Sequence, residues 1–252
     1  MGQTDASVRL WEGSLVVEQV SQDMVAFDST TADQVSYARA DAALLGLLST
    51  CLLRPSVVLV AELCDGTLVS KLRALLELAP ADKIECLLDG IDEQARLLRN
   101  LSDDEARLVL EVEYNRLFVG PGEVLAPPYE SYYESSRASA GRGWLRTQAE
   151  RDVVQAYAEC GFAMPENFVE LPDHVAVELE FLALLASREA EAWDINKREV
   201  ALALQASAAE FIVQHLGTWL ESCAALVEPV ARQPFYAAIL SLSCVAILGP
   251  ER

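Results

Sequence analysis

The two histidines of the chain and their carboxylate neighbours are the first residues to consider for chemistry. His174 and Glu178 are four residues apart, so both side chains lie on one face of a helix, where an imidazole and a carboxylate could bind a metal ion. Two ligands do not make a catalytic metal site, and no further histidine is placed to help. We interpret His174 as a helix-start residue and His215 as a partly buried residue on an amphipathic helix. The sequence therefore predicts no metal site.

Other catalytic arrangements are also missing from the sequence. The pairs Glu111/Glu113 and Glu178/Glu180 are two residues apart, so their side chains point to different faces of a helix and make poor acid/base pairs. The sequence has neither the G-x-x-x-x-G-K-[ST] loop nor a G-x-G-x-x-G turn after a strand, the two common cradles for nucleotide phosphates. We predict a protein that is not an enzyme and that needs no cofactor.

Charge and composition limit the partners. The 252 residues carry a formal net charge of -20, and 52% of them are hydrophobic, chiefly Ala and Leu. A phosphate backbone would be repelled by this charge, which argues against nucleic acid. A basic peptide would be attracted to it. Solubility alone is the other explanation of the acidic composition.

The apolar segments and the cysteines indicate the cellular compartment of the protein. Residues 1–11 lack the basic start and continuous apolar core of a secretory signal, and the longest apolar run, residues 235–248, is shorter than a membrane span. No two of the six cysteines have C-x-x-C spacing, and most lie in apolar, helix-like contexts. We interpret them as small buried hydrophobic residues in a reducing compartment. The sequence predicts a soluble cytoplasmic protein without stable membrane insertion.

Helical periodicity recurs from residue 35 to residue 248, with breaks at prolines and glycines. We predict an all-α fold in a single domain, residues 1–252, whose first 34 residues are a weakly patterned extension. The predicted helices cover residues 35–53, 68–79, 82–98, 102–117, 144–160, 172–185, 196–216 and 234–248.

Three local features stand out in this helical pattern. Ser102 and Glu105 form a capping box, in which each side chain satisfies a backbone amide at the helix start. Residues 119–143 are rich in Gly, Pro and Ser and predict a long loop, a feature that is often functional inside a compact domain. Asp173 is expected to cap the helix that follows, with His174 in its first turn.

Two segments resemble the motifs of one protein family. The first is YNRLFVGPG at residues 114–122 followed by APPYESYY at 126–133, and the second is LPDHVAVELEF at 171–181. Together, in this order, they resemble the TorD/DmsD/NarJ family of molybdoenzyme maturation chaperones. Weaker similarity at residues 37–55 and 233–236 extends the resemblance over roughly residues 35–245. Tyr129 stands where many members of the family carry Trp.

The resemblance implies an all-helical fold without cofactor, and binding of the N-terminal region of a molybdopterin oxidoreductase subunit, in many members a twin-arginine signal peptide. Large side chains would line a groove for the apolar part of the peptide, and carboxylates would meet its arginines. The predicted peptide-binding residues are Leu117, Phe118, Gly120, Pro121, Pro127, Pro128, Tyr129, Glu130, Ser131, Tyr132, Asp173, His174 and Glu178.

Several alternatives remain open at the level of the sequence. The client could be exported through its signal peptide, or it could be a nitrate-reductase-like subunit that faces the cytoplasm. The chaperone itself could be a monomer or a homodimer. Two functions outside this class are also open. One is a weak nucleotide-hydrolysing enzyme, against which the missing phosphate loop counts, and the other is a generic helical adaptor that has lost its client.

Overall fold

A computed structural model describes residues 30–76, 81–122, 124–139, 141–165 and 168–249. These residues form α-helices and short helical turns without a β-strand, so the prediction of an all-α fold is confirmed. Most of the predicted N-terminal extension, residues 1–29, lies outside the described residues. The helices are α1 Thr31–Leu52, α2 Val57–Cys64, α3 Thr67–Leu75, α4 Ala81–Leu98, α5 Asp103–Tyr114, α6 Glu130–Ser139, α7 Gln148–Glu159, α8 Val175–Asp194, α9 Arg198–Gln214, α10 Leu220–Val227 and α11 Pro234–Leu248.

Side-chain caps fix the starts of several helices. The capping box predicted for Ser102 and Glu105 is confirmed, because the Glu105 amide donates to the Ser102 hydroxyl and the Glu105 carboxylate accepts from the Ser102 amide. Thr30 and Asp33 form a second capping box at the start of α1. The Ser56 hydroxyl caps α2 through the Leu59 amide. Each such cap stabilises its helix by about 1 kcal/mol.

The long helices α1 and α8 pack along each other, and α9 also packs against α8. The Ser49 hydroxyl of α1 donates to the Ala176 carbonyl oxygen of α8 at 2.7 Å, so the one buried polar side chain at this point of the contact is satisfied. Because α8 is packed against both helices, most of its residues are buried. This helix carries the second sequence motif and fixes its position in the fold.

The C-terminal helix α11 lies inside the bundle, against α1, α4 and α10. Its residues Phe235 and Tyr236 are fully buried, and Tyr236 packs edge-on against Phe118 with ring centroids 5.5 Å apart. The apolar run at residues 235–248 is therefore a core helix. Among the described residues no single helix is long and apolar enough to span a membrane; α1 and α2 reach that composition only together, across a bend of 109°.

The predicted loop at 119–143 is wrong in its middle, because α6 occupies Glu130–Ser139. Serine hydroxyls at 135 and 139 donate to backbone carbonyl oxygens of the preceding turn. The first turn of α6 is held by a carboxylate that is distant in sequence, as described below. Only the flanking segments, 120–129 and 141–147, lack helical structure among the described residues of this region.

The remaining differences from the predicted elements are local. The helices α2 and α10 were not predicted, and α7 begins at Gln148 instead of residue 144. The interpretation of the cysteines as buried holds for Cys51 and Cys223. It is wrong for Cys86, which is exposed, and holds only in part for Cys64, Cys160 and Cys244, which are partly exposed. Cys86 lies on the solvent side of α4, whose opposite side carries the buried Leu88 and Ile91.

Candidate functional site

The two motifs identified in the sequence meet in the structure. Tyr129 and His174 form an isolated antiparallel bridge. Its hydrogen bonds run from the Glu130 amide to the Asp173 carbonyl oxygen at 3.0 Å and from the Val175 amide to the Pro128 carbonyl oxygen at 2.9 Å. We call the contact of residues 127–131 with residues 171–178 the motif junction. It places the start of α6 directly beside the start of α8.

The acid and the imidazole of the Pro-Asp-His motif cap two different helices. The Asp173 carboxylate accepts a hydrogen bond from the Ser131 amide at 2.9 Å, in the first turn of α6. The His174 ring is the N-cap of α8, with Nδ1 accepting from the Ala176 amide at 3.1 Å. The predictions that Asp173 caps the helix that follows it and that His174 lies inside its first turn are therefore wrong. The bridge to Tyr129 turns the Asp173 side chain towards α6 instead.

The motif junction is buried, and burial shifts its ionisable groups. Asp173, His174 and Glu178 have no exposed surface. Burial lowers the pKa of His174 to about 3, so the ring is neutral and Nδ1 can accept a hydrogen bond. Burial raises the pKa of Glu178 well above its ordinary value, and the nearby carboxylates of Glu130 and Asp173 raise it further. Glu178 accepts one long hydrogen bond, from Trp219 Nε1 at 3.4 Å.

The predicted aromatic and apolar groove residues are mostly interior. Leu117 and Phe118 lie in the hydrophobic core, and Phe118 packs edge-on against Tyr114 and Tyr236. Pro127 and Pro128 are buried as well, whereas Tyr129 and Tyr132 are partly exposed and Pro121 is exposed. In this conformation a peptide cannot touch Leu117 or Phe118 without displacing core side chains.

Residues 115–122, in the first half of the first motif, have an unusual backbone conformation. Asn115–Val119 form a π-helical turn, closed by the Gly120 amide donating to the Asn115 carbonyl oxygen at 2.7 Å. Gly120 has φ of 97°, a left-handed value that favours glycine. The Ala126 amide then donates to the Leu117 carbonyl oxygen at 2.9 Å, which closes the loop onto the core.

An acidic pocket opens beside the motif junction, between α6, α7 and the end of α9. Its volume is about 480 Å³. Glu130 and His215 form its buried floor, and the exposed carboxylates Glu134, Asp152 and Glu159 surround it. None of the described residues that line it is Lys or Arg. A cation that entered this pocket would therefore meet carboxylates without having to displace a basic side chain of the protein.

The floor of the acidic pocket is a buried carboxylate–imidazole pair. His215 Nδ1 lies 3.2 Å from Glu130 Oε2, and the side chains retain only 9% and 6% of their accessible surface, respectively. Burial raises the pKa of Glu130, and the hydrogen bond to His215 opposes this shift without cancelling it. Glu130 is therefore the one predicted site residue that both belongs to the motif junction and lines an open pocket.

Sequence reasoning missed most of the acidic pocket. His215 was interpreted as an ordinary helix residue, and Glu134, Asp152 and Glu159 were not singled out. Periodicity on α7 could have found two of them, since Asp152 and Glu159 are seven residues apart and share one helix face. The pairing of Glu130 with His215 joins residues separated by 85 positions and has no local signal.

A metal centre is not supported at the motif junction. Among the described residues no group of three or more His, Cys, Asp or Glu side chains is arranged to hold a metal ion. His174 Nδ1, one of the two ring nitrogens that could bind a metal, already accepts the hydrogen bond from the Ala176 amide.

Comparison with known proteins assigns the family. The model of the nitrate reductase delta subunit family matches residues 84–225, more than half of the chain, and the chain belongs to this family. The prediction from the two motifs is thereby confirmed. The matched residues include both motifs and every helix that lines the acidic pocket.

Individual relatives carry chaperone names. The chain is 33% identical to the chaperone protein TorD of Vibrio cholerae over half of its own length and 54% of that protein. It is 33% identical to a chlorate reductase assembly chaperone of Ideonella dechloratans, over 51% of this chain and 64% of that protein. A perchlorate reductase assembly chaperone of Dechloromonas aromatica is 23% identical over 86% of this chain and 90% of its own length. None of these names is that of a catalytic enzyme.

Proposed function

We propose that this protein is a cytoplasmic chaperone for a molybdenum-containing oxidoreductase, and that it binds the N-terminal segment of this client until the cofactor is inserted. The basic residues of the segment would enter the acidic pocket. The observation that carries the proposal is the position of this pocket, with Glu130 of the first motif in its floor. The relatives named as assembly chaperones support the client class.

The chemistry of the acidic pocket suits arginine or lysine side chains. A guanidinium can donate two parallel hydrogen bonds to one carboxylate, and such charge-assisted bonds are about twice as strong as neutral ones. The net charge of -20 adds long-range attraction that speeds the encounter with a basic segment. Of the other predicted residues, Asp173 and Ser131 would hold the wall of the pocket in place, since their hydrogen bond fixes the start of α6, and His174 would hold the adjacent start of α8.

The test uses a synthetic peptide with two adjacent arginines followed by a leucine-rich stretch. Glu134→Gln combined with Asp152→Asn removes two exposed carboxylates of the pocket and should weaken binding roughly fivefold at low salt, because each exposed ion pair contributes little. Isothermal titration calorimetry measures the dissociation constant. The matched control is Glu221→Gln with Glu228→Gln, the same charge change on exposed residues of and after α10 that do not line the pocket.

The association rate, measured by stopped-flow fluorescence at several salt concentrations, distinguishes long-range attraction from direct contact. For wild type, the association rate should fall as ionic strength rises, because the screening length shrinks to about 8 Å at physiological salt. Equal binding of the peptide by the pocket variant, the control variant and wild type would show that the acidic pocket is not the client site. In that case the acidic composition of this protein would serve solubility.

A further inference from the structure

A second cavity lies on the other flank of α7. Its volume is about 350 Å³, at the lower end of the range of roughly 300–1,000 Å³ typical of ligand pockets. Its walls are the C-terminal end of α1, Tyr157 of α7, the first three turns of α8, and residues 162–165 and 168. Glu180 is the only charged side chain among the described residues that line it. We call it the apolar cavity.

The walls of the apolar cavity are held by contacts behind them. The Phe162 amide donates to the Tyr157 carbonyl oxygen at 2.9 Å, and the Phe162 ring packs edge-on against Phe181. Arg188 lies over the Phe162 ring at 3.7 Å and also donates to the Cys160 carbonyl oxygen. These contacts hold Phe162 against α8, so a ligand that bound here would meet a largely preformed surface.

The mouth of the apolar cavity exposes large apolar side chains to water. Phe168 and Leu184 retain 42% and 41% of their accessible surface. Contiguous exposed apolar surface is typical of a site that binds an apolar partner. What that partner is follows from what lies next to the cavity.

The apolar cavity and the acidic pocket share α7 as a wall. Asp152 and Glu159 face the acidic pocket, whereas Tyr157 faces the apolar cavity. At about 100° per residue, these positions lie on opposite flanks of the helix. Between them, on the outer surface of α7, Val154 is 45% exposed. A single chain could therefore cross the outside of α7 and enter both pockets.

We infer that the apolar cavity binds the apolar stretch of the same peptide segment whose basic residues enter the acidic pocket, so that one client segment straddles α7. This inference rests on the proposed function. The two pockets match the two parts of such a segment in charge and polarity, and neither pocket alone matches both. Glu180, at the rim of the apolar cavity, would accept a hydrogen bond from one further polar or basic group of the peptide.

The geometry also fixes a spacing for the peptide. Half the circumference of a helix about 10 Å across is roughly 15 Å, which an extended chain covers in about five residues. A peptide in which about five residues separate the arginine pair from the leucines should reach both pockets. A spacer of about two residues spans only roughly 7 Å and should reach one of them.

The first test introduces a carboxylate at the mouth of the apolar cavity. Leu184→Glu should weaken binding of the five-residue-spacer peptide by about tenfold. The bound peptide would cover Leu184, and in the variant it would instead have to desolvate a charge. The matched control is Leu202→Glu on α9, which is 45% exposed and lines neither pocket. Both variants add the same negative charge, so long-range attraction of the basic peptide changes equally. Ala163→Trp, at an exposed position on the rim, blocks the cavity without adding charge.

The second test changes the peptide. With the leucines replaced by serines, Leu184→Glu and Leu202→Glu should bind the peptide equally. The two-residue-spacer peptide should bind wild type no more tightly than the serine peptide. Circular dichroism and melting temperature confirm that the variants are folded.

The outcomes separate the inference from the proposed function. If Leu184→Glu and Ala163→Trp bind the leucine peptide as wild type does while the Glu134→Gln/Asp152→Asn variant binds it weakly, the inference is wrong and the proposed function stands. If none of these variants changes binding, both are wrong. If Leu184→Glu converts a dimer to a monomer in analytical ultracentrifugation without changing peptide affinity, a second copy of the chain covers the cavity, and the inference is again overturned.

Discussion

The motif junction contains the residues that are recognisable in the sequence, whereas the two flanks of α7 contain the accessible surface. The junction carries the residues by which the family is identified, yet Asp173, His174 and Glu178 are fully buried. One flank of α7 borders the acidic pocket, whose exposed carboxylates Glu134, Asp152 and Glu159 belong to neither motif, and the other borders an apolar cavity whose α8 wall includes Ala176 and Val177 of the second motif. The motifs thus specify how two helix starts are joined, and the surface beside them offers the contacts. Glu130 belongs to both regions.

The largest effect is expected from removing the carboxylate that joins the two helix starts. Asp173→Ala leaves the Ser131 amide of α6 without its acceptor in a buried place, which should cost about 2–3 kcal/mol of unfolding free energy. Asp173→Asn keeps an oxygen acceptor and should cost less. Urea unfolding followed by circular dichroism measures both. If Asp173→Ala unfolds as wild type does, the carboxylate does not hold α6, and the structural role assigned to the junction is wrong.

A second effect comes from the buried carboxyl group of Glu178. Because its pKa in the folded state is raised, the folded protein keeps a proton that the unfolded chain releases above the ordinary pKa of glutamate. Wild-type stability should therefore fall as pH rises above that value. Glu178→Gln cannot ionise and still offers an oxygen to Trp219, so it should lack this fall.

Melting temperatures of wild type and Glu178→Gln across the range from acidic to alkaline pH check this. The two proteins should be nearly equal in stability under acidic conditions, where the glutamate is protonated in both states. The variant should become relatively more stable as pH rises. A constant difference at all pH values would mean that Glu178 is ionised in the folded protein, contrary to its burial. Glu228→Gln, at an exposed position after α10, is the control.

The contrast between junction and flanks also explains what could be predicted from the sequence. Local signals predicted well: the capping box of Ser102 and Glu105 lies within one turn, and the boundaries of α11 at Pro234 and Leu248 follow from its apolar run. The family, too, follows from residues that are close in sequence.

Features set by distant residues could not be predicted. The first turn of α6 depends on Asp173, 42 positions away, so the Gly/Pro/Ser-rich composition around it predicted a loop. Because of this distance, the sequence did not reveal that Asp173 caps α6, which leaves His174 to cap α8. The acidic pocket combines α6, α7 and α9, and a sequence pattern within one helix cannot reveal a surface that three helices form.

The smallest effect is expected at Tyr129, and it tests the division between the two regions most directly. Tyr129 is partly exposed, packs edge-on against His174 with ring centroids 5.1 Å apart, and donates its hydroxyl to Glu170 at 2.9 Å. Burial raises the pKa of Tyr129, so the hydroxyl remains a donor throughout the physiological pH range. Tyr129→Phe keeps the ring contact and removes the hydrogen bond, which should cost roughly 1 kcal/mol of stability.

If the motif junction is structural and the flanks of α7 bind the client, Tyr129→Phe should change the affinity for the arginine–leucine peptide by less than about twofold, a difference below 0.5 kcal/mol. Calorimetry with the same peptide measures this affinity, and the Glu134→Gln/Asp152→Asn variant shows how large a loss of affinity is expected when the binding site itself is changed. A tenfold loss in Tyr129→Phe, with the circular dichroism spectrum unchanged at the temperature of the measurement, would place the peptide on the junction itself. The predicted set around Tyr129 and Ser131 would then be the binding surface, because a hydroxyl that only joined two loops could not affect a peptide bound across α7.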